Sequence, residues 1–263
     1  MSFVLAAESS DGFEAPGSSD FWQPLIGDGA WAITRPMFVI LLSVVLVGGF
    51  LLVATRNLSV VPGRRQFLVE GVYGLVRNGL AKDVIGSHDF LKFVPLLFTQ
   101  FLLILVNNLF GVIPPIQFPT FSRYGFAVAV TLVTFVVYHA VGFRKHGPVG
   151  YFTGLVPKGL PWWIVWFVWL LEVMTFFITR PLTLSMRLFA NMFAGHMLLL
   201  VFILGGEYML LHGSNPGIQA GSIAAFLLGI VMTFFEMFVQ FLQAYVFVLL
   251  SAMYIAGNLA DEH

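Results

Sequence analysis

The chain has 263 residues, of which 59% are hydrophobic and 10% charged, and its mean hydropathy is +0.91. Soluble domains carry about 25% charged residues, so this composition excludes disorder and an ordinary soluble enzyme. It is typical of a helical protein that crosses a membrane several times. Thirteen basic residues balance thirteen acidic ones, which argues against a nucleic-acid partner, and the absence of cysteine excludes disulfides and thiolate metal sites.

The N-terminal segment, residues 1–34, is acidic: it holds five aspartates and glutamates and neither lysine nor arginine. It lacks the basic start and the separate apolar core of a signal peptide. We therefore predict a translocated, loosely ordered tail over residues 1–34, followed by a single membrane domain over residues 35–263.

The first apolar segment, residues 36–55, carries no charge and is long enough to cross a bilayer as a helix. The stretch from residue 56 to residue 92 holds six of the thirteen basic residues. The positive-inside rule places this stretch in the cytoplasm and the N-terminus outside. Apolar residues recur in it at roughly helical spacing, which predicts either a helix along the membrane surface over residues 64–83 or a plain basic loop.

Two further segments, residues 92–112 and 124–143, are predicted to cross the membrane. Pro114 and Pro115 end the first of them, because proline lacks an N–H group and restrains the residue before it. The second leads into another basic loop, which carries Arg144, Lys145 and Lys158. Three spans thus alternate with charge as the positive-inside rule requires.

The remaining apolar segments are longer, at residues 161–211 and 218–259, and a turn from His212 to Gly217 separates them. A continuous helix of about 50 residues would be about 75 Å long, against about 30 Å of hydrocarbon. The first segment must either tilt steeply or break into two spans near Pro181, and hydropathy does not decide between these alternatives. The predicted fold class is an all-α polytopic membrane protein.

Arg187 is the leading functional candidate, because burying an ionisable side chain in a membrane costs a few kcal/mol or more. No acidic residue lies within ten positions of it in the sequence. Its guanidinium stays protonated, so it requires a carboxylate from elsewhere in the fold or from another chain, unless it snorkels to an interface. Asn191, four positions later, falls on the same helix face.

Other polar residues in these segments form a second set of candidates. His196 lies nine positions after Arg187, which is about half a turn out of phase, so it points away from Arg187 in a regular helix. It is either a proton relay or a hydrogen-bonded structural residue. Glu236, Gln240 and Gln243 form one polar stripe, which indicates either contact between helices or a hydrated path. Glu172 is a further acid, on the cytoplasmic half of its helix.

These residues resemble a known family. The stretch RPLTLSMRLFANMFAGH, residues 180–196, is similar to the signature of subunit a of the F-type ATP synthase. Three other stretches are also similar to this family: Leu242-Gln243-Ala244-Tyr245-Val246-Phe247, Asn107-Asn108-Leu109-Phe110-Gly111, and the acidic C-terminal end Ala-Asp-Glu-His.

The resemblance implies that the two long segments form a hairpin of highly tilted helices facing a rotor ring of c subunits. Protons would reach the ring carboxylates through one aqueous half-channel and leave through another. Arg187 would separate the half-channels opposite the ring carboxylate. The implied proton path comprises Asn191, His196, Glu236 and Gln243 on the uptake side, Gln240 beside them, and Glu172 near the exit.

The implied partners are the c-subunit ring, b-type peripheral stalk subunits, the soluble ATPase sector and the lipid bilayer. The sequence contains no phosphate loop, so ATP chemistry would reside on other chains, and no metal or organic cofactor is implied. The implied location is the bacterial inner membrane, with the N-terminus outside and the C-terminus in the cytoplasm.

The sequence departs from the commoner family pattern at two sites. Many bacterial relatives have a carboxylate where His196 stands and a histidine where Glu236 stands, so the pair is exchanged here. Glu172 is one residue further from Pro181 than the acid of the commoner pattern. This difference moves it by about 100° around the helix axis. Two other functions stay open: a secondary transporter that binds an anion at Arg187, although no internal repeat is evident, and a structural subunit of a respiratory complex.

Overall fold

The structure is a computed structural model that describes residues 24–26, 33–56, 59, 63–113, 118–156 and 160–259. Most of the predicted N-terminal tail therefore lies outside the described residues. Within them, a short antiparallel ribbon of β1 (Pro24–Ile26) and β2 (Ile33–Thr34) precedes the helices. The α-helices are α1 (Arg35–Thr55), α2 (Arg64–Gly74), α3 (Asp83–Ile85), α4 (Phe90–Phe110), α5 (Tyr124–Thr153), α6 (Trp162–Met174), α7 (Arg180–His212) and α8 (Pro216–Leu259).

Five helical runs among the described residues are long and apolar enough to cross a membrane: α1, α4, α5, the run from α6 to α7, and α8. The predicted all-α polytopic class is therefore confirmed. The run from Trp162 to His212 has 51 residues and does not break into two spans. At 1.5 Å per residue it is about 75 Å long, so it can lie in a bilayer only at a steep tilt.

Two helices differ in extent from the sequence prediction. Helix α5 continues to Thr153, ten residues past the predicted end of its span at Phe143, because a kink at Gly147 lets the chain turn and resume a helix at Pro148. Gly147 has φ of +69°, a conformation that glycine adopts without the clash of a Cβ atom. Helix α4 runs from Phe90 to Phe110, so it begins and ends two residues before the predicted bounds of 92 and 112.

The basic stretch after α1 is helical in the structure. Helix α2 continues directly into a π-helical segment, Leu75–Lys82, and then into α3, which ends at Ile85. Val76 and Leu80 are completely buried in the core beside α4 residues, whereas Phe67 and Leu68 on α2 are largely exposed. The segment thus packs on the helical bundle at one end and presents apolar side chains outward at the other.

The core lies where α4, α5, α7 and α8 meet. Its largest completely buried or nearly buried side chains are Leu97, Phe101, Ile104, Tyr138, Leu184, Leu188, Met192, Phe247 and Ile255. Lipid tails are as apolar as leucine, so close packing and interhelical hydrogen bonds have to hold such helices together.

Buried hydrogen bonds join α4 to α5 and to α1, and join α5 to α8. Gln100 Nε2 on α4 donates to Thr134 Oγ1 on α5 at 2.9 Å, and Thr134 Oγ1 lies 3.3 Å from Ser251 Oγ on α8. Asn107 Nδ2 on α4 donates to Ser43 Oγ on α1 at 2.7 Å. Asn258 Nδ2 near the end of α8 donates to the Tyr138 carbonyl on α5 at 2.7 Å. These contacts fix the register of α8 against α4 and α5.

Candidate functional site

Arg187 lies on the outward face of α7. Its side chain is exposed, as are those of Thr183 and Ala190, while Leu184 and Leu188 on the other side of the helix are buried. No ion pair joins Arg187 to a carboxylate of the residues that the structure describes. The small neighbours Thr183 and Ala190 leave room for another helix to approach the guanidinium closely.

His196 lies on the opposite face of the same helix, as the spacing in the sequence predicts. It is buried between α7 and its neighbours, with 9% of its surface exposed, and it forms a hydrogen bond with the backbone of Gly111. It lines a narrow crevice together with Glu236 and Gln240 of α8. The structure therefore brings His196 and Glu236 to one crevice and keeps Arg187 outside it.

The polar stripe of α8 is turned inward along its whole length. Glu236, Gln240 and Gln243 expose 7%, 1% and 8% of their surfaces, on a helix whose other faces expose phenylalanine and leucine. Gln240 Nε2 donates a hydrogen bond to Glu236 Oε1, which holds the carboxyl group toward the crevice. Asn108 Nδ2 of α4 donates to the Gln240 carbonyl at 3.2 Å and so ties the second span to the stripe.

Gly195 leaves room for the carboxyl group of Glu236, a contact that the sequence did not predict. A methyl group added at Gly195 would collide with the carboxyl group of Glu236. The missing side chain therefore lets the carboxyl group sit directly against the α7 backbone, one residue before His196. Which glycine makes room for Glu236 depends on how α7 and α8 are paired, and the sequence carries no signal for that pairing.

Several buried polar atoms of the helical bundle have no hydrogen-bond partner within the described part of the chain. They include Asn108 Oδ1, Thr120 Oγ1, Asn191 Nδ2, Gln240 Oε1 and Gln243 Nε2. Buried polar groups are nearly always paired with protein or with ordered water. Of these atoms, Gln240 Oε1 belongs to a residue that lines the crevice, which is itself too narrow to hold a water molecule.

The remaining candidates lie apart from this crevice. Asn191 is partly buried one turn beyond Arg187, and Gln243 lies one turn beyond Gln240. Glu172 is half-buried on α6, in a different part of the long helical run. Among the residues described, no three histidine, aspartate or glutamate side chains are grouped so that they could hold a metal ion.

The fold and the site define a class of polytopic membrane protein in which ionisable side chains lie between helices, as they do in proteins that move ions. The model of the family described as ATP synthase A chain matches residues 37–256. The chain therefore belongs to this family, and the resemblance seen in residues 180–196 is confirmed.

Close relatives support the same assignment over the full length. The chain is 48% identical to the ATP synthase subunit a of a Nocardioides species, over 99% of this chain and 98% of the relative. It is 42% identical to that of Pseudarthrobacter chlorophenolicus over 100% of both chains, and 37% identical to that of Streptomyces lividans over 96% of this chain and 90% of the relative.

Family membership fixes the general role of the chain. It is a membrane-sector subunit of the F-type ATP synthase, has a part in proton transport and ATP synthesis, and is not catalytic by itself. Its bacterial relatives and its five apolar helices identify an integral protein of the bacterial plasma membrane.

Proposed function

We propose that this chain is the stationary proton-channel subunit of the synthase, which offers two aqueous half-channels to the carboxylates of a rotor ring and couples proton movement to rotation. The arrangement of α7 carries the proposal. The helix presents an exposed guanidinium, Arg187, on one face and a buried imidazole, His196, on the other. Helix α7 can thus contact a rotor carboxylate with its exposed face and line a proton path with its buried face.

The crevice on the inner face is the proposed uptake path. The Glu236 carboxyl and the His196 imidazole each accept and release protons, and both line it. Gln240 donates a hydrogen bond to the carboxyl group. The amide groups of Gln243 and Asn191, which lie apart from the crevice, are the proposed continuation of the path toward Arg187. The exchange of acid and imidazole relative to many bacterial relatives leaves one of each, so the relay retains both of its chemical groups.

Arg187 is the proposed barrier between uptake and exit. A fixed cation favours the ionised form of a carboxylate that passes it and repels protons that would cross directly. Glu172, on the preceding segment of the run, is the proposed exit-side acid. The partners that follow are a ring of c subunits at the exposed face of α7, b-type stalk subunits and the soluble ATPase sector.

Cross-linking tests this assignment of faces. A cysteine at Ala190, beside Arg187, is expected to form a disulfide with a cysteine near the membrane carboxylate of a small proteolipid that copurifies with the soluble ATPase subunits. The matched control is a cysteine at Leu132 of α5, which is 55% exposed but lies on another helix. The adduct is expected for Ala190→Cys alone, as seen on a gel of oxidised membranes.

Two outcomes would contradict the proposal. Equal adducts from both positions would show that the exposed face of α7 is not a specific rotor contact. Purification of the chain alone with intact transport activity would support the alternative of a secondary transporter with an anion site at Arg187.

Membrane orientation is tested with single cysteines, which are simple to interpret because the chain has none. The positive-inside rule places the segment before α2 in the cytoplasm. Gly63→Cys, at the exposed start of α2, is expected to react with a membrane-impermeant thiol reagent only in inside-out vesicles. Ser18→Cys, in the acidic N-terminal segment, is expected to react only in right-side-out vesicles. The reverse pattern would invert the proposed topology.

A further inference from the structure

The long helical run contains one wide turn. Residues Thr175–Thr179 are π-helical, and the backbone N–H of Arg180 donates to the carbonyl of Thr175, five residues earlier. Pro181 follows immediately and has no N–H to donate, and its ring displaces the carbonyl of the preceding turn. A single widened turn of this kind holds one extra residue and is frequently found at functional sites.

Tyr138 of α5 satisfies a carbonyl that this turn leaves without a helical donor. Because Arg180 bonds to Thr175 and Pro181 cannot donate, the next carbonyl, that of Phe176, needs a donor from elsewhere. The Tyr138 hydroxyl donates to it at 2.8 Å, and the side chain of Tyr138 is 1% exposed. A buried phenol on a neighbouring helix therefore stabilises the wide turn.

The wide turn changes which face of the helix Glu172 occupies. In a regular helix, Glu172 would lie about 60° around the helix axis from Arg187, on the same side as the exposed residues Thr183 and Ala190. One extra residue in the turn rotates it by about 100°, which places it about 40° from Arg187 on the other side, in line with Asn191.

The surroundings of Glu172 agree with the rotated position. Glu172 is half-buried, whereas the residues on the unrotated line are exposed. Arg180, eight residues further along the run, lies on the same line about two turns away. The Arg180 guanidinium is itself held 3.4 Å from the centre of the Phe176 ring and 5.1 Å from that of Tyr254. Phe176 thus joins the wide turn to the Arg180 guanidinium.

We propose that Tyr138 is a positioning residue for proton exit: its hydroxyl holds the wide turn at Phe176, and the wide turn aligns Glu172 with Arg180, Arg187 and Asn191. The inference rests on the proposed role of Arg187 and Glu172. It also accounts for the extra residue between Glu172 and Pro181, because a turn that holds one more residue compensates for the shift in the sequence.

The test is a double-mutant cycle in the intact synthase, reconstituted into vesicles. Tyr138→Phe removes only the hydroxyl group, and the loss of one buried hydrogen bond corresponds to roughly a fivefold to tenfold change in an equilibrium. ATP-driven proton pumping is expected to fall by a factor of that order. Glu172→Gln is expected to slow pumping too, and adding Tyr138→Phe to it is expected to cause no further loss.

The matched control is Tyr151→Phe. It removes another buried phenol of the same cluster, one that bonds to His139 Nδ1 at 2.7 Å and not to the wide turn. Pumping by this variant is expected to stay within about twofold of wild type, a smaller change than the loss expected for Tyr138→Phe. An equal loss in Tyr151→Phe, or a full additional loss when Tyr138→Phe is combined with Glu172→Gln, would overturn the inference.

A distance measurement gives a second readout that does not depend on activity. Spin labels at Glu172→Cys and Val149→Cys, the latter 76% exposed on α5, report the rotation of α6. Adding Tyr138→Phe or Pro181→Ala is expected to shift the distance distribution, and adding Tyr151→Phe is expected to leave it unchanged. An unchanged distribution in all three backgrounds would refute the positioning role.

Different outcomes test the role of Arg187 and the positioning role of Tyr138. If Arg187 variants of the assembled synthase pump protons, the proposed function is wrong. If Arg187 is required but Glu172→Gln pumps at the wild-type rate, or Tyr138 and Glu172 act independently, only the positioning inference is wrong.

Discussion

Arg187→Lys is expected to reduce ATP-driven proton pumping in reconstituted vesicles by about 100-fold, the loss typical of removing a preorganised group that stabilises charge. Lysine keeps a positive charge in water but is expected not to rescue the function. Its ammonium group is a compact point charge that loses its proton when buried, whereas the guanidinium stays charged and spreads its charge over five N–H donors.

Arg187 must attract each rotor carboxylate without binding it so tightly that the ring stops. The guanidinium must favour the ionised form of each rotor carboxylate and then release it as the ring advances. A planar group with several donors can hand over from one carboxylate to the next, and its exposed position on α7 leaves it accessible to them.

Arg187→Ala is expected to abolish pumping and to let protons leak down an imposed gradient, because no charge then separates the half-channels. The measurements are quenching of a pH-sensitive dye during ATP hydrolysis and its decay after a pH jump, with assembly checked by the presence of all subunits. Substantial pumping by either variant in a complete complex would show that Arg187 is not the separator.

The sequence predicts the spans of this protein well because each depends on local composition. A lipid environment requires long uncharged runs, and helical periodicity alone assigns Arg187 and His196 to opposite faces of α7. The polar stripe on α8 follows from the same periodicity, and its burial in the structure agrees with that expectation.

The features that the sequence does not predict all depend on which helices meet. The contact of Gly195 with Glu236 requires the pairing of α7 with α8, and the bond from Tyr138 to Phe176 requires that of α5 with the wide turn. The kink at Gly147 likewise turns the end of α5 back beside the bundle, where the Tyr151 hydroxyl reaches His139. Hydropathy carries no information about such pairings. The shifted position of Glu172 can therefore be seen in the sequence, but the wide turn that compensates for it cannot.

The acid and the imidazole of the crevice give the second large expected effect. Glu236→Gln keeps the shape of the side chain but removes its exchangeable proton, and His196→Ala removes the imidazole. Each is expected to slow proton-driven ATP synthesis by about 100-fold, the lower end of the range for loss of a positioned acid or base. The soluble ATPase activity is expected to stay unchanged, because ATP chemistry resides on other chains.

Two variants separate a relay from a structural role. Glu207→Gln removes an exposed acid from the same helix as His196 and is expected to synthesise ATP at the wild-type rate. The exchange variant His196→Glu with Glu236→His restores the arrangement of the commoner family pattern, and is expected to recover much of the activity lost in the single variants. Recovery requires that the two groups act as one acid–base pair across α7 and α8, as their shared crevice allows. Wild-type synthesis by both single variants over a wide pH range would exclude a relay through this pair and leave the crevice a purely structural contact.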